Sequence, residues 1–96
     1  TMSVTKIATP DHIDGMTAAS AVETWEHSSG RLRAIICVDP WGDGYCIELY
    51  RLHAGGRHGI WHGVAPHEIP TRIAGFATLE DARVGARDAL HNTSQR

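Results

Sequence analysis

Seven histidines in 96 residues are the compositional excess of this chain, and four of them, His53, His58, His62 and His67, crowd one stretch. Imidazole is the usual nitrogen ligand of zinc, copper or nickel, so the crowding raises a metal site first. Strand spacing restricts it. His58 and His62 on one face of a strand stand about 13 Å apart at ~3.3 Å per residue, too far to share an ion. Only His53 and His58, opposite one another across a Gly55-Gly56 turn, are placed to chelate, with Glu68 as an added carboxylate. Solvated imidazoles at a hairpin end explain the pair more simply, so neither metal nor cofactor is expected.

The two cysteines, Cys37 and Cys46, are too few for a disulfide scaffold and form no Cys-x-x-Cys. They are expected to face each other across a hairpin, where a non-hydrogen-bonded position would suit a disulfide or a metal pair. The plainer reading is two small thiols on a packed face. Arg33 is the one cation near them, so no reactive thiolate is indicated. The sheet histidines project from the opposite face, which removes a Cys–His nucleophile. No catalytic residue is assigned, and enzyme chemistry is not the expected function.

A third group is aromatic. Trp61, Tyr50, Leu52 and Ile35 are expected to form a strip with Arg33 at one side, a composition enriched where partners bind. Two readings stay open: a partner interface, or a second small core in which Ile13, Met16, Val22 and Trp25 cover the strip. Trp41, between Pro40 and Gly42 at a turn tip, is costly to leave in water. The candidate interaction residues are therefore Trp61, Tyr50, Trp41 and Arg33.

The elements that must position these groups are legible in parts. Gly75-Phe76-Ala77-Thr78-Leu79-Glu80-Asp81-Ala82 reads as a turn into a helix, with Thr78 as N-cap and Glu80 and Asp81 at the positive end of its dipole. Leu79, Ala82, Ala86, Ala89 and Leu90 then form a stripe for docking on a sheet, while Arg83, Arg87 and Asp88 fall off it as solvated charges. Arg31 to Val38 and Tyr45 to His53 are strands joined through Asp39-Pro40-Trp41-Gly42, a type I turn pattern. That hairpin sets Val38 opposite Tyr45, Cys37 opposite Cys46 and Ile35 opposite Glu48. The glycine turn joins a third strand, Arg57 to Val64, with Tyr50 opposite Trp61 and His53 opposite His58.

Alternation assigns Leu32, Ala34, Ile36, Val38, Tyr45, Ile47, Leu49, Ile60 and Val64 to the face that receives the helix. Apolar spacing at Ile13, Met16, Ala19 and Val22 predicts a helix over 14–27, with strand as the competing reading for Ala21 to His27. Thr71 to Ala74 reads as a short extended edge piece. The expected fold is α+β: a three-stranded antiparallel sheet, four-stranded with that piece, a C-terminal helix on one face and an N-terminal helix. One domain spans 1–96, with 1–10 and 92–96 frayed.

Nine Lys plus Arg against eleven Asp plus Glu give a formal charge of −2, and Lys6 is the single lysine. Such a chain has no general attraction for nucleic acid or anionic membranes. No apolar run reaches membrane-spanning length and Thr1 to Gly15 lacks a secretory pattern, so a cytoplasmic protein is expected; Thr1 reads as an added residue before the natural start at Met2.

The order helix, three strands, helix, with Ala82, Ala86, Ala89 and Leu90 on the last helix, resembles the double-stranded-RNA-binding domain. The resemblance implies that fold, but that family opens its last helix with phosphate-directed lysines, whereas Leu79-Glu80-Asp81 presents carboxylates. The Gly75 to Ala82 ending is also similar to that of small uncharacterised bacterial sheet-plus-helix domains, and this likeness implies no activity. The expected function is a non-enzymatic interaction or accessory module with a protein partner or with itself. The alternatives are a nucleic-acid-associated module using Arg31, Arg33, Arg51, Arg57 and Arg72, and a histidine-based metal protein.

Overall fold

Val, Ile, Tyr and Thr cluster between turn signals along most of the chain, and those clusters are strands. The structure, a computed structural model, describes residues 4–8, 21–39, 42–52, 61–63 and 71–94, of which 52, 61–63, 71 and 72 are described by backbone pairing alone. In chain order the elements are β1 (Val4–Ile7), β2 (Ala21–His27), β3 (Leu32–Val38), β4 (Tyr45–Leu52), β5 (Trp61–Gly63), β6 (Thr71–Phe76) and α1 (Leu79–Ser94).

All the described strand pairs are antiparallel, and the sheet runs β1-β2-β3-β4 before its last position is divided. β6 pairs with β4 between Tyr45 and Leu49, whereas β5 pairs with it from Tyr50 to Leu52. The six described strands therefore make a sheet five positions wide. β4 holds the fourth position, with β3 along one side and β6 followed by β5 along the other.

The β3–β4 hairpin has the expected register: Val38 pairs with Tyr45, Cys37 with Cys46 and Ile35 with Glu48. Its tip closes through the Asp39 N–H, which donates to the Gly44 carbonyl at 3.1 Å. The next register differs from expectation. Leu52 pairs with Trp61 and Tyr50 with Gly63, a slip of two residues from the Tyr50–Trp61 pairing that two glycines suggested. A slip of two preserves the alternation of faces, so hydrophobic pattern alone does not distinguish these registers.

Two expectations for the N-terminal part are corrected. Ala21–His27, assigned to the second half of a helix, is strand β2, paired with β3 along its length apart from an irregularity between Ala21 and Glu23. Its β-branched and aromatic members, Val22, Thr24 and Trp25, suit that state, and pairing with β3 supplies what local spacing does not record. Residues 14–20 lie outside the described residues. Val4–Ile7, expected to fray, is β1, with Lys6 opposite Trp25. The sheet is accordingly wider than three or four strands.

At the other end α1 begins at Leu79 as expected. The Asp81 N–H donates to Thr78 Oγ1 at 3.1 Å, the N-cap bond. The helix continues to Ser94, whose Oγ donates to the His91 carbonyl at 2.7 Å, so 92–94 are helical rather than frayed. Its face of Ala82, Ala86 and Leu90 is buried on Leu32, Ala34, Ile36, Ile47 and Leu49, with Leu79, Ala89, Ile73 and Phe76 around the margin. Small residues at 82 and 86 let the helix backbone come close to β3 and β4.

Two measurements test this packing. Ala86→Leu places three extra carbons in a fully buried site and should destabilise the fold by about 1–3 kcal/mol in chemical denaturation. Gly44 (φ +101°) would, with a Cβ, run into the Phe76 carbonyl, whereas Gly75 (φ +97°) has open space there. Gly44→Ala should therefore cost more than Gly75→Ala, whose cost is the positive-φ strain of roughly 1–2 kcal/mol. Equal losses would remove the argument that the β6 backbone abuts this turn.

Candidate functional site

Three charged arrangements stand out among the described residues of the sheet. The first lies between β2 and α1, under the helix. Glu23 is buried, at 5% exposure, and its carboxylate accepts from Arg83 Nε at 3.0 and 3.1 Å, with Arg83 Nη2 also in close contact. Trp25 Nε1 donates to the same carboxylate at 3.0 Å, and Lys6 Nζ is 3.8 Å away. Glu80, one turn before Arg83, accepts from its Nη1 at 3.3 Å.

The cause is positional. Glu23 and Trp25 share the side of β2 towards the helix, and Arg83 leaves the helix beside its buried stripe. The Arg83 hydrogen bonds hold the Glu23 carboxyl below the usual glutamate value near 4.5, and burial opposes them. Glu23 in turn raises the Arg83 guanidinium, so both remain ionised. Arg83, expected to be an ordinary solvated charge, instead ties the helix to β2. Its off-stripe position hid this role, and an acid at a buried strand position was its missing counterpart.

The second and third arrangements lie on the opposite face. Arg33 Nη2 donates to Glu26 Oε2 at 2.9 Å, from residues that are direct partners across β2 and β3. The Tyr50 hydroxyl donates to Glu48 Oε2 at 2.8 Å, two residues back along β4. Around them Ile35, Cys37, Cys46 and Tyr50 form a second buried cluster, with Ala21 packed against it.

The candidate residues from sequence fare differently. Tyr50 is 1% exposed and its hydroxyl is engaged, so it presents no surface to a partner; Ile35 beside it is equally buried. Of the residues expected to cover the strip, Trp25 packs on the helix-side core and Val22 is exposed, while Ile13 and Met16 lie outside the described residues. Arg33 keeps 15% side-chain exposure and is engaged with Glu26. Trp61 is the register partner of Leu52. Trp41, His53, His58 and Glu68 lie outside the described residues, as do the side chains of Trp61 and Arg72. The flanking register is not the one on which the His53–His58 pair was based. Among the described residues no group of three or more His, Cys, Asp or Glu is arranged to hold a metal ion.

What remains exposed and apolar is sparse. Val22, Val38 and Val84 are the large hydrophobic side chains on the described surface. Pairing of Ala21 with Cys37 brings Val22 and Val38 to the same end of the sheet, beside the Asp39–Gly44 turn. No family description, no curated protein and no solved structure matches this chain. Among the described residues no helix is long and apolar enough to cross a membrane.

The Glu23–Arg83 arrangement predicts a pH signature. A carboxyl lowered in the folded state stabilises the fold above its unfolded value, and that contribution is lost as pH falls through the folded value. The stability gap between wild type and Glu23→Gln should be constant above about pH 5.5 and narrow below about pH 4.5. Urea titrations across pH check it, and a gap still undiminished near pH 3 would remove the ionised pair as its source.

Proposed function

We propose that this chain is a small non-enzymatic interaction module whose protein partner docks at the end of the sheet bearing the Asp39–Gly44 turn. The observation that carries the reading is the placement of Val22 and Val38, at 39% and 50% exposure, on that end. Most described residues of β3 and β4 are buried on both faces of the sheet, and interfaces are built around apolar anchors at the centre of a contact. Trp41 follows Val38 by three residues in the chain and is the aromatic anchor of the proposed surface.

The ionisable groups support a binding role over a catalytic one. Glu23, Glu26 and Glu48 are engaged with Arg83, Arg33 and Tyr50. These bonds organise the fold, and opening those of the buried Glu23 or Glu48 for general acid–base work would strand a desolvated charge.

The test uses single substitutions that add charge or remove a ring at the proposed surface, Val38→Lys and Trp41→Ala, with Arg87→Ala on the helix exterior as the control. Partner capture from native extract, and self-association by sedimentation, should fall at least about tenfold for the first two, a loss of roughly 1.4 kcal/mol or more. Denaturation midpoints should stay close to wild type. A partner retained by Val38→Lys and Trp41→Ala but lost with Arg87→Ala would move the contact to the helix and overturn the proposal.

A further inference from the structure

We propose that Cys37 and Cys46 form a reversible dithiol–disulfide couple, a site that exchanges two electrons with small-molecule disulfides. This inference is independent of where a partner docks. Both residues are in the thiol form, both are buried, and they are direct partners across the β3–β4 hairpin.

The hairpin's own hydrogen bonding defines their geometry. The Asp39 N–H to Gly44 carbonyl bond makes Asp39 and Gly44 a hydrogen-bonded pair. Pair types alternate along an antiparallel ladder, so two steps inward Cys37 and Cys46 are hydrogen-bonded partners as well. Their Cα atoms then stand about 5.5 Å apart, inside the range of roughly 4.4–6.8 Å that a disulfide spans. Their Cβ atoms are at the wide end of about 4.5–5.5 Å for facing residues, whereas a disulfide draws them to about 3.8 Å. The bond is within reach, but it pinches the hairpin.

That mismatch is what makes the couple reversible. A disulfide formed against the ladder's spacing stores strain, and strained disulfides are the readily reduced ones. In the reduced state Cys37 Sγ donates to the Ile35 carbonyl at 3.7 Å, along its own strand. The reduced state is the relaxed one, and oxidation trades that contact for a cross-strand bond. Both thiols are buried beside Ile35 and Tyr50, so the first exchange proceeds through transient opening of the hairpin, and each cysteine is the resolving partner of the other.

The chemistry balances in two exchanges. One cysteine thiolate attacks a sulfur of the disulfide RSSR, forming a mixed disulfide and expelling RS⁻, which takes up the proton the cysteine gave to solvent. The second cysteine, deprotonated by solvent, attacks the protein sulfur of that mixed disulfide and expels the other RS⁻. In sum, the two cysteine thiols and RSSR yield the Cys37–Cys46 disulfide and two RSH; the protein is oxidised and the small disulfide reduced.

The experiment incubates the folded full chain with oxidised glutathione, then with an excess of reduced glutathione, and follows whole-protein mass. Both cysteines lie in one tryptic peptide, Ala34 to Arg51. The expected result is loss of two hydrogens in that peptide without dimerisation, and full recovery of the thiols under reduced glutathione. Cys37→Ser and Cys46→Ser should each halt at a single glutathione adduct, because the resolving thiol is gone. An unchanged wild-type mass, a stable wild-type glutathione adduct, an interchain dimer, or an internal bond that resists excess reduced glutathione would each overturn the proposal. The wild-type measurement decides even if a serine variant fails to fold.

Discussion

Gly44 is where three parts of this fold depend on one backbone conformation. Its φ of +101° lets its carbonyl receive the Asp39 N–H and close the β3–β4 hairpin. On its other side the Phe76 carbonyl, at the end of β6, lies where any side chain would stand, and Ala77 follows on the way to the helix cap. Hairpin register, the seating of β6 on β4 and the entry point of α1 are thus coupled at one residue without a Cβ. Once that register is set, alternation sends Ile36, Ile47 and Leu49 to the helix and Ile35, Cys46 and Tyr50 to the other face. The remainder of the core follows from this separation.

The Glu23–Arg83 contact acts on a different link, between packing and sheet width. Apolar burial under α1 centres on β3 and β4, and β2 lies towards the margin of that contact. Direct hydrogen bonds from a helix arginine to a β2 carboxylate bring the margin under the helix, and Trp25 and Lys6 extend the cluster outward to β1. A carboxylate at such depth is tolerable because it accepts several charge-assisted bonds; left alone there, its desolvation would be costly. The contact is therefore better understood as specifying where β2 and α1 meet than as a source of large net stability.

Legibility in the sequence tracked the kind of burial. The C-terminal helix, its Thr78 cap and its Ala82, Ala86 and Leu90 face were readable because apolar spacing and cap chemistry are local signals. The first hairpin was readable for the same reason, down to Cys37 opposite Cys46. β2 was not, since Glu23 is inward-facing on the strand and is buried by pairing. An alternation test counts an acid as an exposed position, so Ala21–His27 gave no period-two pattern, and the apolar spacing of Ile13 to Val22 favoured helix instead. The role of Arg83 was lost with it, since neither half of an ion pair separated by sixty positions announces the other. The aromatic candidates show the converse: composition marked Tyr50 as a hot-spot residue, but composition does not distinguish a surface aromatic from one whose hydroxyl is satisfied by Glu48 in the interior.

A sheet with buried residues on both faces has few ways to meet another protein. Two of the described edge strands are poorly suited to strand addition: β1 carries Lys6, a charge of the kind that discourages further pairing, and β6 has an irregular register with β4 next to Gly75 at φ +97°. The helix exterior presents Glu80, Asp81, Arg87 and Asp88, charges of both signs with Val84 the one large apolar side chain among them. Charged residues of this kind are depleted at the centres of interfaces. The end of the sheet is different, since there the bulge region of β2 and the last residue of β3 leave Val22 and Val38 uncovered next to a turn that contains a tryptophan. Among the described residues, exposed apolar side chains are thus displaced from the sheet face, where composition first suggested them, to the perimeter that the same hairpin creates.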